Sequence, residues 1–197
     1  MDAITMLGIW HIIAPPLIHI YGIVTPLCVL DFYYILYFIL LVLSWCVCGE
    51  CAISQYIVST TTSLTNEPLY LRELKQTLGN ILTNKEFVNI ISYYLYCYVY
   101  FSVVVFFPLS VYIVIRRNYF FSLEMSVIII ISYLCYMALS SGRETIAVVY
   151  NTPFKKNTHT TVATIYSIFL LGVLVVFLWN LNNTRNITTR INLHTTV

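Results

Sequence analysis

Charge is what this sequence has least of. Only 9% of its 197 residues are Asp, Glu, Lys or Arg, while 59% are hydrophobic; soluble domains carry about a quarter charged residues. So little charge cannot keep a surface in water, which excludes an ordinary soluble domain and points to an integral membrane protein. Basic clusters are also missing. Arg116–Arg117 and Lys155–Lys156 are pairs in connecting segments and the net charge is +2, so no nucleic-acid footprint is present. Glycine is scarce, with six residues, and no Gly-rich phosphate loop, Ser nucleophile elbow, H-E-x-x-H or paired-carboxylate pattern occurs. No cofactor signature is visible. The N-terminal MDAITMLGIW has neither a positive n-region nor a small-residue cleavage site, so the first apolar run is expected to be retained. Ionisable groups within apolar runs are few: Asp31 about two turns into its span, Glu50 at that span's end and Glu124 at another's start, none of them central. A carboxylate at the bilayer centre costs about 2.5–3.5 kcal/mol on insertion scales. Their absence from the centres argues against a proton pump or ion-coupled transporter.

Aromatic residues are abundant instead, with 17 Tyr and 11 Phe. Many tyrosines fall inside apolar runs, where each hydroxyl needs a partner on a neighbouring helix. Tyr93, Tyr96 and Tyr100 form a stripe at helical spacing, a pattern that suits helix packing. A span needs about 20 apolar residues. Three are clear: 87–115, with a bend expected at Pro108; 120–142, with Gly142 as a stop; and 160–180, ending in Trp179. The first 49 residues are apolar enough for two more. Thr25-Pro26 has the form of an N-cap followed by proline at the first helical position, which starts a helix at Pro26 and runs it to about Cys48. Residues 4–23 then form a span kinked at Pro15-Pro16. The expected fold is therefore an all-α, multi-pass transmembrane bundle over residues 1–181 with five spans; the alternative is four spans plus an interfacial or re-entrant N-terminal segment.

Polar connections lie at 52–86 and 143–159. Within the first, Asn66 is placed to cap a short amphipathic helix, LYLRELKQTL, with Leu71, Leu74 and Leu78 on one face and Arg72, Glu73 and Lys75 on the other. Thr83 and Glu86 have capping-box spacing before the next span. Residues 182–197 are rich in Asn and Thr without apolar periodicity and are expected to be disordered. Asn182 and Asn186 start N-x-T triplets, glycosylation acceptors if the tail faces outward. The two loops hold Arg72, Lys75, Lys85, Arg143, Lys155 and Lys156, six cations against four on the other side (Arg116, Arg117, Arg185, Arg190). That count favours cytoplasmic loops.

The stretch SWCVCGECAIS poses the sharpest question. Cys46, Cys48 and Cys51 give C-x-C-x2-C. Zinc asks for four ligands, usually from two C-x2-C pairs; a second pair is missing, and His159 is the one loop residue available as a fourth ligand for Cys48 and Cys51. A redox C-x2-C normally sits in a βαβ context. Packing as small hydrophobes is the preferred reading of the cysteines, so no metal is assigned. His11 and His19 are eight residues apart on one segment, whereas membrane haem ligands come from two helices. A hydrogen bond to a neighbouring helix is the preferred role for these histidines, and His19 and Asp31 are the intramembrane polar residues of note.

Trp45, Gly49, Glu50, Cys51 and Ser54, preceded by His19 in the segment before, form a W-x3-G-E-C-x-[IL]-[ST] element. It resembles an element of small multi-pass membrane proteins encoded by large DNA viruses of algae and protists. The likeness covers roughly residues 10–55, and QYIVSTTTS follows here where a lysine-rich segment is usual. It implies a membrane protein of a large DNA virus, in the virion's internal membrane or a host ER-derived assembly membrane, and brings no activity with it. The expected role is structural: contact with the lipid bilayer and with capsid or other membrane proteins, without catalysis. A viroporin-like channel is the first alternative, and a membrane redox or metal-binding protein using Cys46, Cys48 and Cys51 the second.

Overall fold

The computed structural model describes the backbone of residues 2–49, 51–60, 67–150 and 157–194, and their side chains except at 141–160 and beyond 183. Every regular element among them is helical: α1 (Ala3–His19), α2 (Tyr21–Val24), α3 (Asp31–Cys48), α4 (Ala52–Ser59), α5 (Leu69–Gly79), α6 (Lys85–Phe101), a π turn (Ser102–Phe106), α7 (Phe107–Asn118), α8 (Leu123–Tyr150) and α9 (Asn157–His194).

Among the described residues, four helices are long and apolar enough to cross a membrane: Asp31–Cys48, Lys85–Asn118, Leu123–Ser140 and Thr161–Asn183. The chain is an integral membrane helical bundle. Helix α1, at 17 residues, is shorter than a span. With α2 it accompanies Lys85–Asn118 in the same direction, as successive contacts show: Asn80 Nδ2 donates to Thr5 Oγ1, His19 meets Ser102, Gly22 meets Ser110 and Arg117 reaches Thr25. Among the described residues the bundle therefore has four spanning helices, where five were expected, and a broken N-terminal one beside them.

Helix α7 sits centrally, against α2, α3 and α8, and α9 closes the far side against α3 and α8. The core between them is apolar: Ile35, Phe38, Ile39 and Val42 of α3 meet Phe107 and Val111 of α7, Tyr133 of α8 and Leu170 of α9, all buried. Pro108 does not break its helix. A proline lacks the N–H for the carbonyl four residues back and crowds it; the π turn just before it absorbs the misfit. The Val103 carbonyl in that turn is met by the fully buried Tyr133 hydroxyl, which donates to it at 3.0 Å. This is one partner that an intramembrane tyrosine requires.

Several local expectations are corrected. Helix α3 starts at Asp31, not Pro26. Residues 25–30 form a turn instead, held because Arg117 Nη1 donates to the Thr25 carbonyl and the Cys28 N–H donates to Asp31 Oδ2 at 3.4 Å. The Thr25-Pro26 capping signal loses to these tertiary contacts. Asp31 is consequently in the first turn of its helix rather than two turns in. Before α6 the cap is Asn84, whose Oδ1 accepts from the N–H groups of Glu86 and Phe87, not a Thr83–Glu86 box. The 52–86 connection carries two helices, α4 and α5. Asn66 lies outside the described residues, and Pro68 takes the N-cap position of α5. Helix α8 passes Gly142 to Tyr150, and α9 continues to His194 through the segment expected to be irregular.

Candidate functional site

The turn between α3 and α4 builds the site. Gly49 ends α3 with φ 78°, a left-handed conformation that favours glycine. The chain reverses there and Cys51 takes the N-cap position of α4 in an extended conformation. Glu50 lies outside the described residues. Helix α5 then packs on α4, and α1 packs on both. Gly8 makes the α1–α5 contact possible: a Cβ there would come within 2.2 Å of Thr77 Oγ1.

This packing buries a carboxylate. Glu73, expected on the water side of α5, is fully buried, and Leu69, Leu71, Leu74 and Thr77 are buried with it. The helix is contacted by α1, α4 and α6, and Glu73 lies on the side they cover, while Arg72, Lys75 and Gln76 stay partly exposed. A buried carboxylate requires hydrogen-bond partners, and Glu73 has two. Ser54 Oγ donates to its Oε2 at 2.6 Å, and its Oε1 lies 2.7 Å from Nδ1 of His11. The other ring nitrogen of His11, Nε2, lies 3.3 Å from Cys51 Sγ. With Nδ1–H directed at the carboxylate, Nε2 faces the sulfur. The result is a chain of contacts, Cys51–His11–Glu73–Ser54, drawn from α1, α4 and α5.

Cys51 and Glu73 lie outside the four spanning helices, and His11 sits at their level. Burial pushes the Cys51 thiol up, but the hydrogen bond and charge of His11 outweigh it, helped by the Ser54 and Ile53 N–H groups at the head of α4. The thiol is held below its usual range. Burial likewise opposes a charge on His11, yet its contacts to Cys51 and Glu73 raise it to about 9. Both shifts favour a thiolate beside an imidazolium. A thiol with an imidazole that is itself oriented by a carboxylate can act as an activated nucleophile.

A cavity of about 380 Å³ is lined by Cys51, His11 and Ser54, within the size range of small-ligand pockets. Its wall is mainly apolar and aromatic, including Trp45, Tyr37, Tyr96, Tyr100 and Met137. Trp10 lines it as well and is 64% exposed, which puts it at the rim. The tyrosine stripe divides here: Tyr96 and Tyr100 face the cavity, while Tyr93 is exposed.

The three clustered cysteines do not converge. Cys46 is buried in the core, Cys48 is exposed and Cys51 turns to His11. Among the described residues no group of three His, Cys, Asp or Glu is arranged to hold a metal. The side chain of His159 lies outside the described residues, as does that of Asn186; Asn182 is exposed. His19 and Asp31 occupy separate places. The buried His19 lies with Nδ1 3.2 Å from Ser102 Oγ, whose own proton goes to the Val99 carbonyl at 2.8 Å, so His19 is the donor. Asp31 accepts from Arg117 Nε at 2.9 Å, from Nη2 of the same guanidinium, from Asn118 Nδ2 at 2.7 Å and from the Tyr21 hydroxyl at 3.1 Å. This cluster fastens α2 and α3 to the end of α7 at the membrane face opposite Cys51.

Of the W-x3-G-E-C element, Trp45, Gly49, Cys51 and Ser54 all serve the site. His11 and Glu73 were not expected there. His11 is expected to hydrogen-bond to a neighbouring helix, but nothing in its sequence surroundings ties it to Cys51, and Glu73 sits in a helix whose leucines indicate a water-facing carboxylate. Compared with known protein families, with curated proteins and with solved structures, the chain matches none.

Proposed function

We propose that this integral membrane protein uses Cys51 as a nucleophile, with His11 as its base and Glu73 orienting the imidazole, in transfer or hydrolysis of an acyl group at the membrane boundary. The observation that carries this reading is the pair of contacts at His11, 3.3 Å to Cys51 Sγ and 2.7 Å to Glu73 Oε1. Acyl transfer suits such a set because the thiolate attacks, the imidazolium returns its proton to the leaving group, and no external redox partner is needed. The test is competitive alkylation of the full chain in lipid nanodiscs, with mass mapping of all six cysteines. At pH 7, iodoacetamide is expected to modify Cys51 ahead of the exposed Cys48, and His11→Gln to abolish that lead. Equal rates at the two cysteines would overturn the proposal.

A viral setting is supported by the likeness of the 45–54 element alone. On that reading the protein belongs to the internal membrane of a virion or to a host ER-derived assembly membrane and also contacts capsid or membrane proteins. Its absence from purified virions and from assembly membranes would remove that setting without touching the thiol chemistry. The channel alternative gains nothing from the bundle interior, whose central layer is Ile35, Phe38, Ile39, Val42, Phe107 and Val111.

A further inference from the structure

Resting on the nucleophile reading, the geometry points to a substrate class and to one further group: we infer that Cys51 accepts a long-chain acyl group from an ester or thioester, with the chain in the adjoining cavity and the carbonyl oxygen at the hydroxyl of Tyr70.

Three observations converge on this. The cavity beside Cys51 Sγ is apolar, aromatic and placed at the end of α3, where the bundle meets the membrane boundary. Hydrocarbon tails gain from such a wall at about 25 cal/mol per Å² buried, and most of the surface it presents is apolar. Second, the Tyr70 hydroxyl is buried in the same wall and has no hydrogen-bond partner among the described residues. A buried donor left unpaired is costly and asks for an explanation. An oxyanion arriving next to Cys51 supplies one. Third, the Tyr70 ring packs edge-on against His11, with centroids 5.7 Å apart. It is near enough to Cys51 and Glu73 for both to add to burial in pushing its hydroxyl up. The hydroxyl therefore keeps its proton and remains a donor.

The step balances without a redox partner. The Cys51 thiolate adds to the acyl carbonyl carbon, and the carbonyl oxygen takes the electron pair while accepting from Tyr70. Collapse breaks the bond to the leaving thiolate or alkoxide, which takes the proton of the His11 imidazolium, leaving an S-acyl Cys51 and neutral His11. Water or another acceptor then loses a proton to His11 as it attacks, the carbon–sulfur bond breaks, and Cys51 leaves as thiolate.

Two donors share this chemistry: the bilayer's own phospholipid esters, and long-chain acyl thioesters of a soluble carrier. The full chain in nanodiscs is incubated with either an alkyne-tagged C16 phospholipid in the bilayer or an alkyne-tagged C16 acyl thioester in solution. Acylation of Cys51 is read by mass spectrometry and by release with hydroxylamine. The expected result is a hydroxylamine-labile C16 adduct on Cys51 from one of the donors, forming at least tenfold faster than the adduct from an acetyl thioester. Tyr70→Phe is expected to slow it about 10²-fold, the loss typical of an oxyanion donor. Alkylation by iodoacetamide builds no oxyanion, so the same variant separates a specific loss from a collapsed site, which would slow both. Fast alkylation of Cys51 with no acyl adduct from either donor would overturn this inference and leave the nucleophile reading standing. Slow alkylation would remove both. An adduct unaffected by Tyr70→Phe would overturn the role of the tyrosine.

Discussion

Ser54 Oγ donates to Glu73 Oε2 at 2.6 Å across 19 residues of chain. That bond fixes the carboxylate whose second oxygen holds His11, so a serine one turn into α4 sets the attitude of an imidazole on α1 toward the cysteine at the head of its own helix.

Removing this bond has two expected effects. Ser54→Ala leaves a buried carboxylate oxygen without its partner and destabilises the fold by about 1–3 kcal/mol. It also frees the His11 ring, so alkylation of Cys51 at pH 7 slows several-fold. Ser54→Thr keeps the hydroxyl and restores the rate. Thermal unfolding in detergent and timed alkylation check the two parts separately.

The pH dependence follows from the opposed shifts at Cys51 and His11. Cys51 is held below the usual thiol range, so its alkylation rate rises at a pH below the ordinary thiol value of about 8.5. In His11→Gln burial is no longer outweighed, and the profile moves up past that value. Stability has its own sign. The His11 pKa is raised from 6.5 to about 9; its contribution is fully present below 6.5 and is lost as the pH rises through about 9. The depressed Cys51 thiol contributes with the opposite sign until the pH passes its ordinary value of about 8.5, so the melting temperature of the wild type is expected to fall relative to His11→Gln as the pH rises from about 8.5 through about 9, and parallel curves there would contradict the assigned charge.

At the opposite membrane face, Asp31 and Arg117 are 1% and 16% exposed. Truncating one partner of a buried pair strands the other charge and costs about 3–5 kcal/mol. Asp31→Ala and Arg117→Ala are each expected to destabilise the bundle by that order. The double variant should lose far less than their sum, because neither charge is then left alone. An additive cycle in denaturant unfolding would show that the two side chains act independently.

The spanning helices were legible because hydropathy acts through composition over some 20 residues and needs no tertiary knowledge. Residues 85–118, for example, declare themselves despite Pro108. The Trp45–Ser54 stretch was legible as unusual, but its chemistry was not. Its partners His11 and Glu73 lie 40 residues before and 22 residues after Cys51, and nothing in local periodicity brings a helix-1 histidine to a helix-5 carboxylate. Glu73 misled for a physical reason. A helix with leucines on one side ordinarily turns its charges to water, but here α1 closes over that side through the close approach at Gly8. Thr25-Pro26 misled similarly: its local signal was sound, and the Arg117–Asp31 cluster overrode it.

The site draws its members from three pieces of chain, with the imidazole on α1 and the carboxylate on α5, 62 residues apart. Neither α4 nor α5 carries a histidine. Until α1 seats on α5 through Gly8 and Thr77, Cys51 is an ordinary thiol and Glu73 an uncovered acid. The arrangement makes reactivity a report of completed assembly: a nascent or N-terminally clipped chain carries the cysteine in silent form, and only docking of the first helix arms it.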